Sequence, residues 1–442
     1  MRPTICAFVL ALAGVAAAQV DCSNPDNLCT GDPCVIPSVE PENPCIVDFG
    51  TRAVVIQGLR NVIQLDFTAR SFDVQGSVGG SVGNGGGFAL AASEGIVVDG
   101  NLTFKGGQFA AGPGDSVIRL VAGQDIDLQG AVRLIESPFA GEDAAEEFRV
   151  DAGGDVTIGS VIYDLEGAGA VTINAGGRVD VEGSIVSRQT SFVGIFAPLV
   201  IDAGTDVVVD GLVSFVDGDV TIQAGGTIEV RKPLKTRGPA IVLEAQNGVT
   251  ATAPIRSVGR GGNSLSCGGV SILGHAGAVS LSKPLLCTGH FLGLGITVAA
   301  DGDVTMSGVV KSTADTAAGG PIAVSSTAGD VTISGKLDSR GATGGDVQVS
   351  GDTVQVNVSR VDSRGRSGPA GDQHYTADAG DLVLAGTFTA EPAGTIEGSA
   401  SGNLTADGTF RVGDGGCIAL SAGGTVSTGG SSFDQTVVTD CP

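Results

Sequence analysis

The stretch Ala170–Ser187 reads AVTINAGGRVDVEGSIVS, and its pattern decides the fold. Apolar Val171, Ile173 and Ala175 alternate with polar Thr172 and Asn174. Period-two alternation marks a half-buried strand. Gly176-Gly177 ends the run, Val179 and Val181 resume it, Gly183 ends it again, and a third short run carries Ile185. The stretch therefore reads as three brief strands with a corner after each.

The same pattern recurs from Arg52 onward, in FRVDAGGDVTIGSVI, VTIQAGGTIEVRKPLKT, ITVAADGDVTMSGVVKS and IALSAGGTVSTGGSSF among others. About 15 units with a mean period of about 26 residues fall in the range that signals stacked repeats. One unit cannot cover its own apolar face, whereas stacking identical units covers it and pairs each strand with its counterpart one turn on. The expected fold is all-β: a single-stranded, right-handed parallel β-helix (β-solenoid) of about 15 coils, with a Cys-rich N-terminal cap. Residues 1–18 read as a signal peptide, 19–51 as the cap and 52–442 as the repeat domain. The corner glycines are expected to supply backbone angles that other residues reach only with strain.

Glycine accounts for 72 of the 442 residues, yet no Gly-X-Y period is present, so the chain is not collagen-like. There are 48 acidic residues against 24 Lys and Arg, a formal charge of −24 that disfavours nucleic acid and anionic lipid as partners. The opening MRPTICAFVLALAGVAAAQ has a charged residue, a short apolar run and small residues at Ala16–Ala18, which predicts a secretory signal cut near Ala18. The apolar run is short of the ~20 residues a membrane span needs. The expected location is outside the cell or in its envelope, with no transmembrane segment.

Without Cys6, the cysteines are Cys22, Cys29, Cys34, Cys45, Cys267, Cys287, Cys417 and Cys441. An even set in a secreted chain predicts disulfides. The first four permit three pairings. Cys267 with Cys287, and Cys417 with Cys441, are each separated by roughly one turn of the repeat, so both pairs are expected to staple adjacent coils.

Chemical signatures are sparse. Ser187-Arg188, Thr236-Arg237, Ser339-Arg340 and Ser363-Arg364 end units at like positions, the last two inside repeated Asp-Ser-Arg-Gly. Stacking would set some of Arg188, Arg237, Arg340 and Arg364 in a ladder beside Asp338 and Asp362. Such a ladder reads either as a surface ion-pair row or as a stripe for acidic polysaccharide. Glu136, Glu142, Asp143, Glu146 and Glu147 form the densest acidic cluster, a solvated loop or a weak calcium site. His275, His290 and His374 are the only histidines; the first two lie in adjacent runs that would let them approach each other. Asp155, Asp219, Asp303 and Asp330 sit in Gly-Asp corners and read as turn chemistry. No nucleophile elbow, His-Glu-x-x-His or phosphate loop is present. No catalytic residue, cofactor or firm metal site is assigned. Sequons stand at Asn101, Asn357 and Asn403.

The units VTINAGGRVDVEG, VTIQAGGTIEVRK and GDVTISGKLDSRG resemble the β-helical repeats of bacterial filamentous-haemagglutinin-like exoproteins and autotransporter passenger domains. The resemblance covers most of the chain after Arg52. It implies a secreted or cell-surface role, often adhesive, with extracellular polysaccharide or surface proteins as partners. The haemagglutinin-type secretion domain and a translocating barrel are not evident. The leading expectation is a structural or adhesive rod without catalytic activity. The alternatives are a polysaccharide-processing enzyme of the pectate-lyase-like type and a carbohydrate- or calcium-binding module.

Overall fold

The computed structural model describes residues 19–82, 87–106, 117–135, 147–164, 170–187, 198–216, 218–238, 240–259, 266–290, 293–439 and 441. The segment read as a signal peptide, residues 1–18, lies outside them. The chain is nearly all β, a parallel β-solenoid of about 15 turns. Each lap contributes one strand to each of three ladders. The first ladder runs from Cys45–Asp48 through Val171–Ala175 to Val437–Val438. The second runs from Cys34–Ile36 through Val179–Val181 to Val426–Ser427. The third runs from Leu59–Val62 through Ile185–Ser187 to Ser432–Phe433.

Stacking is in register. Val171, Ile173 and Ala175 pair with Leu199, Ile201 and Ala203, which pair with Val220, Ile222 and Ala224. Like side chains thus form continuous columns, and these columns are the core. A single lap could not stand alone. The lap beginning at Val171 buries six apolar side chains (Val171, Ile173, Ala175, Val179, Val181, Ile185), and they are covered by their counterparts in the laps above and below.

Gly386 and Gly408, at the second corner of their laps, hold positive φ as expected, whereas the first-corner glycines of the central laps act by size. Gly153, Gly176, Gly204 and Gly225 stack in one column, and none has a positive φ. A Cβ on Gly176, Gly204 or Gly225 would strike the carbonyl oxygen of the glycine one lap earlier. Hydrogen is the only side chain that lets successive corners approach so closely.

The Gly-Asp corners tie laps together. Asp125 Oδ1 accepts the Asp155 amide at 2.8 Å, Asp155 Oδ1 accepts the Arg178 amide at 2.7 Å, and Asp206 Oδ1 accepts the Thr227 amide at 2.7 Å. Asp219 and Asp303 do the same for Ala240 and Asp330. These amides belong to the first residue of a strand or to the residue just before it. The carboxylate of the previous lap satisfies them.

The coil starts earlier than the boundary at Arg52 suggests. Cys34–Ile36 already pairs with Ala53–Ile56, and Cys45–Asp48 with Leu65–Ala69. Residues before Cys34 form a one-turn helix, Pro25–Leu28, capped by Asn24. Disulfides join Cys22 to Cys45 and Cys29 to Cys34, with Cα separations of 5.2 and 5.3 Å. Cys267 joins Cys287 and Cys417 joins Cys441, at 5.5 and 5.8 Å. The last bond ties the strand beginning at Cys417 to the chain just beyond its ladder partner Val437–Val438. The Cys267 bond is placed differently. Cys287 pairs in its ladder with Ser257 and Ser312, and Cys267 with Gly293. It therefore closes the corner where the end of one lap meets its own start, rather than running along a single ladder.

Candidate functional site

Charged groups converge most densely on the outward face of the third ladder. Outward positions there form a column: Ser214, Lys235, Arg256, Leu286, Lys311, Asp338, Asp362 and Thr389 occupy successive rungs. The two Asp-Ser-Arg-Gly units place Asp338 directly beside Asp362. Both side chains are almost fully buried, 3% and 0% exposed. Two adjacent carboxylates out of water demand cations. Lys336 Nζ and Arg340 Nε reach Asp338 at 2.9 and 2.7 Å. Arg360 and Arg364 each reach Asp362 at 2.9 Å, and Arg340 spans the two carboxylates with a 3.4 Å contact to Asp362. Burial alone would raise the Asp338 pKa. The hydrogen bonds from Arg340 and Lys336 outweigh it and hold the carboxyl at about 2.

The serines of the same two units turn inward. Ser339 Oγ donates to the Gly345 carbonyl at 2.6 Å, and Ser363 Oγ to that of Gly371 at 2.7 Å. They pin the loops 340–346 and 364–372, which stack on each other through Arg366 N to Gly341 O and Gly344 N to Pro369 O. Gln373, fully buried between Val347 and Ile396 in an otherwise apolar column, donates to Ser363 Oγ and to the Thr389 carbonyl. It accepts from the Tyr375 hydroxyl at 3.1 Å. Tyr375 is buried with its ring edge on Phe388, and burial pushes its hydroxyl pKa well up.

Of the four arginines read as a stripe, Arg340 and Arg364 come together in this cluster. Arg237 lies on the same face several laps toward the N-terminus, and Arg188 is outside the described residues. Sequence reading missed Lys336 and Arg360. Their signal is that each stands two residues before the repeated aspartate. Of the acidic cluster, Glu136, Glu142, Asp143 and Glu146 are outside the described residues. Glu147 opens the strand Glu147–Ala152 and lies 3.9 Å from Arg149. Among the described residues no group of three or more His, Cys, Asp or Glu is arranged to hold a metal ion.

The histidines do not meet. His275 follows a first-ladder strand and contacts Glu244 at 2.7 Å, whereas His290 follows a third-ladder strand, 3.6 Å from Asp315. His374 pairs with Glu397 at 2.9 Å. The first ladder also carries an outward row of Asp151, Asn174, Asp202, Gln223 and Glu244 on successive rungs. Amides alternate with carboxylates, and Asn174 and Gln223 donate to Asp151 and Glu244 at 2.8 and 3.0 Å. Alternation keeps like charges two laps apart and bordering only shallow depressions.

Phe148, Phe215 and Phe410 are buried in the coil, as their alternation requires. No helix among the described residues is long and apolar enough to cross a membrane. No protein-family model, curated protein or solved structure matches this chain.

Proposed function

We propose that this chain is a non-enzymatic structural or adhesive solenoid that works outside the cell or in its envelope, of the filamentous-haemagglutinin-like and autotransporter-passenger kind. One observation carries the reading. Asp338 and Asp362, the carboxylates assembled most closely with cations, are sealed from water inside ion pairs. Acid–base work on a sugar bond needs two carboxylates that reach it, and these two are committed to holding adjacent laps together. The outward carboxylates on the first ladder are likewise engaged by amides, arginine or histidine at Asp151 and Glu244. Four disulfides fit an oxidising compartment. The test is a degradation screen of the purified chain against acidic and neutral polysaccharides. No polymer should be shortened; turnover of any of them would overturn the non-enzymatic reading.

A further inference from the structure

The acidic balance of the chain does not extend to one of its faces. Four consecutive third-ladder segments, Arg231–Gly238, Thr252–Gly259, Ser282–Gly289 and Ser307–Ala314, hold seven Lys and Arg and no Asp or Glu. Several cations elsewhere in the chain are matched. Arg52, Arg70, Arg149 and Arg178 each face a carboxylate, and Arg231, at the edge of this face, is held by Glu229 and Asp210. Lys232, Lys235, Arg256, Lys283 and Lys311 make no ion pair with a described residue. Arg256 also keeps its Nε out of water without a partner.

Register turns these five into a strip. Lys235, Arg256, Leu286 and Lys311 occupy successive rungs of one column. Lys232 and Lys283 each stand two residues before the first residue of their strand, at the corner beside that column. At about 4.8 Å per rung the column extends about 14 Å. Beyond Lys311 the excess continues, since Lys336, Arg340, Arg360 and Arg364 surround only two carboxylates. Like charges stacked one lap apart repel. Among the described residues no carboxylate pairs with Lys235 or Arg256 to offset that repulsion.

We propose that this face binds a linear polysaccharide bearing carboxylate or sulfate groups, laid along the solenoid axis across the laps from Lys232 to Lys311. This extends the extracellular-rod reading by naming the chemistry of its partner. A single polymer strand fits a strip one strand wide, and its anionic groups, one per sugar, fall near the rung spacing. Nucleic acid fits less well. Trp is absent, and Phe215, the phenylalanine of this ladder within the strip's laps, points into the core, so bases find no ring there to stack on.

The test measures binding of the full chain to immobilised polygalacturonate, heparin, neutral dextran and a short DNA duplex. It uses salt at about 50 and about 200 mM, because contacts through several cations weaken at least about tenfold over that range. The proposal expects salt-sensitive binding to polygalacturonate, heparin or both, and none to dextran. Lys235→Gln/Arg256→Gln/Lys311→Gln, and separately the exposed pair Lys232→Gln/Lys283→Gln, should each weaken it about tenfold or more. Arg178→Gln, on another face, should leave it unchanged. Circular dichroism verifies the fold of each variant. Absence of binding to both acidic polymers, equal binding to dextran, tighter binding to DNA, or folded variants that bind like the parent would each overturn the strip. None of these results implies polymer cleavage, so they leave the non-enzymatic reading to its own test.

Discussion

A few residue types set the spacing between laps. Glycines at the first and second corners of the central laps resist replacement, because the carbonyl of the glycine below occupies the place of the Cβ. Gly204→Ala should lower stability by about 1–3 kcal/mol, as overpacking does. Gly429→Ala, with nothing within 4 Å and no positive φ, should be neutral or raise stability by about 0.5 kcal/mol. Thermal melts of the two variants check both. The buried aspartates act by charge. Asp338 has a folded pKa of about 2 against an ordinary value of 3.8. Its folded value is depressed, so its contribution is complete above the ordinary value and is lost as pH falls from about 4 toward 2. Asp338→Asn should therefore cost about 2 kcal/mol at neutral pH, and the gap between variant and parent should close near pH 2. A gap that stays constant with pH would mean the ion pairs contribute nothing. The sequence displays these aspartates as a repeated tetrapeptide, but nothing in it says that they are buried, since burial depends on which face the loops after them cover.

Each strand element is short and gains its stability from its neighbours. Alternation made most strands legible, because Val-x-Ile-x-Ala admits only one buried face. The first lap was not legible in the same way. Cys34–Ile36 and Cys45–Asp48 alternate over three and four residues only, and the prolines and cysteines around them break the period. Corner function was also hidden. Gly-Asp reads as a local turn, yet the carboxylate bonds an amide a full lap away, such as Asp155 to Arg178, and only the stacked structure brings the two together. Disulfides act at this scale. Replacing Cys267 and Cys287 by Ala removes a cross-link over 20 residues, worth about 3 kcal/mol in a chain-entropy treatment. Solenoids unfold by neighbouring repeats, so amide hydrogen exchange should speed up in laps 255–312 and stay unchanged near Val171–Ala175. Uniform acceleration along the chain would contradict nearest-neighbour stacking.

The whole molecule is a stack whose stability and surface chemistry both follow from register. Lap-on-lap pairing converts sequence positions about 26 residues apart into rows, and rows of unlike charge emerge on different faces. Acidic and amide groups line the first ladder, and cations line the third. The arginine stripe was legible at Arg340 and Arg364, where the motif repeats. The lysines were less so: Lys232 and Lys283 share a Lys-Pro-Leu tripeptide, but Lys235 and Lys311 share no local motif and join them only through the ladder. Register is therefore the claim to test. Ala323 pairs with Gln348, and Ser325 with Ser350, on the outward side of the first ladder. Cysteines placed as Ala323→Cys/Gln348→Cys should form a disulfide under mild oxidation in the folded chain, read by mass spectrometry, while Ala323→Cys/Ser350→Cys, offset by one pleat, should not. Cross-linking of the offset pair in preference to the aligned pair would contradict the stacked solenoid.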